Sequence, residues 1–197
     1  PIFALTNVAA DQNIQSVEIM ETVAADHGLA VLFHEKPFAD VNGSGKHCNW
    51  GLNSDTGMNL YTTGKTKETE ACFTAFTAAL SYAIANYGEA LRATVASSGT
   101  DHRLGAQEAP PAIISLATGK KLEAHLESVI AGGDLDGYSA KRYGEAYLGT
   151  GSSATEKVGR GTEDRNRTAP LPFCGNRFEF RAVGSNQNIS TPMFVLN

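Results

Sequence analysis

Along the N-terminal part of the chain, apolar residues recur with helical spacing. Ile14, Val17, Met20 and Ala24 fall three or four residues apart, so they share one face of a helix that Asp11 can cap and Gly28 can end. Leu29 to Phe33 is a short apolar run with the length and composition of a strand, and it leads into a segment bearing Gly43 and Gly45. The polar stretch from Asn53 to Lys67, with Gly57 and Gly64, predicts a loop. Cys72, Phe76, Leu80, Ala83 and Tyr87 then form the stripe of a helix that Gly88 should interrupt, with a second helical stretch from Glu89 to about Ala96. Ala112 to Leu116 predicts a strand, and Lys120 to Ile130 a helix with Leu122, Leu126 and Ile130 inward. From Gly132 to Glu163 the chain turns to Gly, Ser, Thr and charge, the composition of a surface insertion. Asn176 to Arg181 alternates as an extended strand does: Arg177, Glu179 and Arg181 share one face, and Phe178 and Phe180 share the other.

Composition narrows the function classes more than the fold. The chain has 197 residues, 42% of them hydrophobic, enough for a core in one domain or two small ones, and no internal repeat or domain boundary is visible. A net charge of −5 argues against a nucleic-acid partner. No apolar run approaches the roughly 20 residues that span a bilayer, so no membrane partner is expected either. Cys48, Cys72 and Cys174 form no CxxC pair, which points to reduced thiols and a cytoplasmic location. The sequons at Asn42, Asn166 and Asn188 are then incidental.

Two segments carry candidate chemistry. Lys36 to His47 contains Asn42-Gly43-Ser44-Gly45-Lys46-His47, a loop whose glycines let bare backbone approach a small anionic ligand and whose last residue is a potential metal ligand. It is not a phosphate-binding P-loop, because Asp40 stands where the first Gly belongs and His47 replaces the hydroxyl residue. The second segment is the Arg177-Glu179-Arg181 face, where two cations flank a carboxylate. Taken singly, each has a plainer reading: a structural histidine after a turn, and a solvated ladder of weak ion pairs. Several motifs in one order set those readings aside.

That order resembles glutamine synthetase, in its type III branch. Residues 36 to 47 match the family's ATP-region pattern throughout, and His34-Glu35 and Asn49-Trp50 are similar to its type III form. Asp101 to Ser115, with Arg103, Glu108, Pro110 and Pro111, resembles the type III substrate-loop region. Asp164 to Thr168 followed by Arg177 to Arg181 resembles the arginine-rich and metal-binding segments. The resemblance runs over essentially the whole chain. It implies an α+β fold, an antiparallel sheet flanked by helices, with residues 1–197 forming part of a catalytic domain. The chain opens on Pro1 rather than Met and reads as an internal piece, without the N-terminal domain and the upstream glutamates that hold a first metal in the family. Alone, such a piece is expected to be inactive.

The implied reaction is ATP-dependent ligation of ammonia to glutamate through a γ-glutamyl phosphate. A carboxylate is a poor electrophile, and phosphorylation supplies a leaving group. Phosphoryl transfer calls for a divalent cation, Mg²⁺ or, with a histidine ligand, Mn²⁺. By resemblance His47 and Glu179 hold that metal, Arg103 clamps the α-carboxylate of glutamate, and Asn42 and Gly43 meet the amino acid. Arg167 and Arg181 stabilise the transferred phosphoryl group, with Arg181 also near the substrate. Arg177 and Asn49 serve the nucleotide, and Glu108 closes over the acyl phosphate and favours ammonium deprotonation. Two positions depart from the pattern: Gly51 stands where the family has a serine, and Thr168 to Asn176 lacks an arginine found in other branches.

Two rivals remain. One changes the amine, as in γ-glutamyl-polyamine ligases, but the type III character of Arg103 to Ser115 disfavours it. The other is a non-catalytic relative, against which the joint presence of His47, Glu108, Arg167, Glu179 and Arg181 argues. The resemblance also implies a homo-oligomer, a dodecamer of two hexameric rings. Its expected place is the cytoplasm, or an organelle in an alga or other eukaryote.

Overall fold

The computed structural model describes residues 3–41, 45–63, 66–98, 113–138, 147–148, 158–159 and 169–197. Among them helices and short strands mix as an α+β fold. Helix α1 spans Thr6–Asp26, starting before Asp11, with no side-chain cap at Leu5. Its end is the expected one. Gly28 adopts φ 68°, its N–H reaches Ala25 O at 3.0 Å, and the Leu29 N–H reaches Ala24 O at 2.8 Å, the paired bonds of a left-handed helix stop. The inward face is not the expected one, however. Ala10 is buried and Asn13, Val17 and Ala24 are half-buried, whereas Ile14 and Met20 are exposed. The helix meets the rest of the described chain through Ala10 and Asn13, where Asn188 and Lys46 bond to it, and those contacts decide the face.

Leu29 to Phe33 is not a strand. Its burial alternates, with Val31, Phe33 and Glu35 turned in, but it has no ladder partner among the described residues. The strand lies beyond the Gly-rich segment instead, as β1 (Lys46–Trp50).

After a loop in which Tyr61 is buried, Thr66 caps helix α2 (Lys67–Ala93) in a reciprocal capping box with Thr69. Gly88 does not interrupt the helix, so the separate Glu89–Ala96 stretch is largely absorbed into it. A Cβ at Gly88 would meet the Ile114 carbonyl at 3.6 Å, an ordinary van der Waals contact, so the helix runs through this position without strain. The buried face consists of Phe73, Thr74, Thr77, Leu80 and Leu91, while Phe76 and Tyr87 point outward. Rotating the helix by one position relative to expectation brings Phe73 into a run of aromatic contacts. These pass from Trp50 through Tyr61, Phe178 and Phe173 to Phe73, Tyr138 and His125, with ring centroids 5.0–5.6 Å apart.

Of the expected Ala112–Leu116 strand, Ala112 lies outside the described residues and Leu116 alone among the others enters a ladder, as the first residue of β2 (Leu116–Ala117), which pairs parallel with β5 (Leu171–Pro172). Helix α3 is Lys120–Ile130, as the periodicity predicts, with Leu122 buried and Leu126 half-buried. Ile130 is exposed, and the inward position goes to His125. The supposed surface insertion contributes to the core as well: a 3₁₀ turn at Leu135–Gly137 packs on α2 and Tyr138 is buried. Further on, β3 (Tyr147–Leu148) and β4 (Val158–Gly159) pair antiparallel. Strand β6 (Phe178–Val183) pairs antiparallel with β1, and helix α4 (Ser190–Leu196) covers the ribbon's buried face through Met193.

Candidate active site

The β1–β6 ribbon separates chemistry from packing by its alternation. Cys48 and Trp50 from β1 and Phe178 and Phe180 from β6 turn into the core. Asn49 lies opposite Glu179, and the register slips between Lys46 and Cys48, so His47 sits in a bulge. That bulge brings the His47 ring to the face of Glu179, with Nδ1 3.5 Å from Oε1. The other carboxylate oxygen, Oε2, accepts from Arg181 Nε at 2.8 Å. Arg177 Nε donates to Asn49 Oδ1 at 2.7 Å and its Nη1 to Asn176 Oδ1 at 2.9 Å. The Arg181 and Glu179 side chains are 13% and 18% exposed, and that of His47 is 31% exposed, so the group is partly desolvated but still reachable.

The sequence-predicted residues His47, Asn49, Arg177, Glu179 and Arg181 therefore lie together on one face. Asn42, Gly43, Arg103, Glu108 and Arg167 lie outside the described residues. Asn176, which orients Arg177, was not anticipated; its place at the turn before an alternating Arg strand was the available signal.

The pair His47–Glu179 fits a share in a divalent-cation site. A separation of 3.5 Å is long for a direct hydrogen bond. Two donors bound to one cation at about 2.1 Å each lie about 3.0–3.5 Å apart, depending on the angle. Arg181 engages Oε2 and leaves Oε1 facing the imidazole. Cys48 is no third ligand: it points to the core, and burial pushes its thiol up to about 11 against the pull of Lys46. Among the described residues no third His, Cys, Asp or Glu joins the pair. The chemistry available on this face is thus a half-built cation site beside two oriented guanidinium groups, a surface suited to phosphate oxygens.

Comparison with known proteins places the chain among relatives of one kind. Residues 3–118 match the family model described as glutamine synthetase, catalytic domain. The chain is 46% identical over all 197 residues to the type-3 glutamine synthetase of Dictyostelium discoideum, covering 26% of that protein. It is 42% identical over 197 residues to a glutamine synthetase of Bacteroides fragilis (strain YCH46), covering 27% of it. Over 185 residues, 91% of the chain, it is 43% identical to a glutamine synthetase of Butyrivibrio fibrisolvens, covering 25% of that protein. The chain spans about a quarter of the length of these relatives.

Proposed function

Because this chain belongs to the glutamine synthetase family, we propose that the protein carrying it ligates ammonia to the side-chain carboxylate of L-glutamate with cleavage of ATP to ADP and phosphate. The observation that carries this reading is the convergence of His47, Glu179, Arg181, Arg177 and Asn49 on one face of the β1–β6 ribbon.

The roles follow from the chemistry of each group. His47 and Glu179 would hold Mg²⁺ or Mn²⁺, which when bound supplies positive charge against the ATP phosphates. Glu179 has a second task, because its Oε2 fixes the Arg181 guanidinium at 2.8 Å. A cation held in place before the reaction stabilises the charge that spreads over the transferred phosphoryl group without reorganising. Arg177, gripped on two of its nitrogens by Asn49 and Asn176, is oriented for nucleotide phosphate. Arg167 would add a second charge at the phosphoryl group. Arg103, Asn42 and Gly43 would hold glutamate, and Glu108 would attract ammonium and take its proton. Attack by ammonia on γ-glutamyl phosphate then forms the amide and expels phosphate. A homo-oligomer of two stacked hexameric rings belongs to the same reading.

The test uses the whole protein with ATP, glutamate, ammonium and Mg²⁺ or Mn²⁺. Glutamine, ADP and phosphate in equal amounts are the expected products. Product formation only with a polyamine in place of ammonium would favour the amine-changed rival. A folded protein that makes no product with either would indicate a non-catalytic relative.

A further inference from the structure

The segment between Glu35 and Lys46 has no helix or ladder among its described residues, yet both of its ends are tied to one turn. That turn, Gly184 to Gln187, follows β6, the strand that carries Glu179 and Arg181. It is closed by the Gln187 N–H on Gly184 O at 3.1 Å and by the Gly184 N–H on Gln187 Oε1 at 2.8 Å. At one end of the segment, Glu35 Oε1 accepts the Ser185 backbone N–H at 2.9 Å. At the other, Lys46 Nζ donates to the Gln187 backbone carbonyl and, at 3.1 Å, to Asn13 Oδ1 on α1.

Three features separate this from an incidental contact. Glu35 is fully buried, which a glutamate almost never is unless it is paired, and its Oε1 takes the Ser185 N–H. Its Oε2 is buried with no hydrogen-bond partner among the described residues, a state that costs stability. Gly184 makes room for the carboxylate, because a Cβ there would stand 2.5 Å from Glu35 Oε1 and 2.8 Å from Gln187 Oε1.

We propose that Glu35 and Lys46 form a clasp that docks both ends of the Gly-rich segment onto the turn after β6. Glu35 is then a positioning residue for the segment and for the His47 bulge that follows it. Ordering a loop costs conformational entropy, and fixing its two ends beforehand removes part of that cost from ligand binding. Lys46 is adjacent to His47, so the clasp also sets where β1 enters the ribbon and hence where the imidazole meets Glu179. A salt bridge on the surface would do this poorly, since water competes for both partners.

The kinetic readout rests on the proposed ligase activity; the exchange readout does not. In the whole protein, amide hydrogen exchange over 36–46 and the KM for glutamate are measured for wild type, Glu35→Ala, Glu35→Gln, Gly184→Ala and Lys46→Met. Loss of the clasp in Glu35→Ala, Gly184→Ala and Lys46→Met is expected to speed exchange over 36–46 and to raise KM about tenfold, with kcat changing less. Glu35→Gln keeps the Oε1 acceptor and stays within about threefold of wild type. A lower melting temperature with exchange over 36–46 and KM at wild-type values overturns the clasp and leaves Glu35 a structural residue. If Glu35→Ala fails to fold, Gly184→Ala and Lys46→Met decide by the same two readouts. If the wild-type protein makes no glutamine, the ligase reading falls while the exchange comparison still decides the clasp.

Discussion

Two histidines in this chain meet oxygen atoms in opposite ways. His47 stands on the open face of the β1–β6 ribbon, 3.5 Å from a Glu179 oxygen and 31% exposed. His125 is 1% exposed on the inward face of α3, with Nε2 2.9 Å from Thr74 Oγ1. The Thr74 hydroxyl donates to Leu135 O at 2.8 Å, so it must accept from His125, which puts a proton on Nε2. Around His125 the bonds close into a network that ties α2, α3 and the 3₁₀ turn together. At His47 they stop short, at a distance suited to something placed between. Residue type is the same in both places; saturation and exposure separate a structural histidine from one available to a ligand.

The strongest way to break that contrast is to remove the open site. His47→Ala, Glu179→Ala and Arg181→Ala should each lower the ligase rate of the whole protein by about 10²–10³-fold, the usual effect of losing one preorganised charge or ligand. Their thermal stability should change little beside this. Wild-type rates in all three would remove the ribbon face from the chemistry.

Next in size is damage to the closed site. Thr74→Val removes the hydroxyl that joins His125 Nε2 to the Leu135 carbonyl, and should cost about 1–3 kcal/mol of stability, read as a lower urea midpoint. The rate of folded enzyme should be unaltered. A rate loss larger than the loss of folded protein would mean that the two histidine sites are coupled.

Acid sharpens the comparison further. Burial holds the His125 pKa below its ordinary value, against the opposing pull of its hydrogen bond to Leu135. The unfolded chain therefore takes up a proton near pH 6.5 while the folded chain does not. Stability from this residue is complete above the unfolded value and falls as pH drops below it, until the depressed folded value is reached. His125→Gln should flatten that part of the stability profile; an unchanged slope would show that other groups carry it.

The smallest effect expected lies just after β1. A Cβ at Gly51 would meet no heavy atom within 4 Å, so Gly51→Ser fits without displacing a neighbour. Restoring the family's hydroxyl should tighten ATP binding by about 0.5–1.5 kcal/mol, a factor of roughly two to ten by titration. Weaker binding would argue that this position does not face nucleotide.

Much of the open site was legible in the residues, and most of the closed one was not. Arg177, Glu179 and Arg181 fall on one face because a strand alternates, an inference that needs no partner strand. The Thr74–His125 network left no such trace. Threonines on a helix read as polar surface, and the stripe of Cys72, Phe76, Leu80, Ala83 and Tyr87 was as apolar as the one actually buried. Tyr138 was hidden for a similar reason, as a single aromatic in a segment whose composition speaks for solvent.

By itself, then, the sequence determined the local periods: helix α3 from Lys120 to Ile130, the stop at Gly28, and the two-sided strand β6. Tertiary structure decided which face of each period is buried and which segment finds a partner. It turned α2 onto Phe73 and Thr74, left Leu29 to Phe33 without a ladder among the described residues, and paired β1 with a strand more than a hundred residues away. The physical reason is that backbone geometry sets side-chain spacing within a few residues. Burial and ladder hydrogen bonds, by contrast, depend on surfaces that only the folded chain brings together.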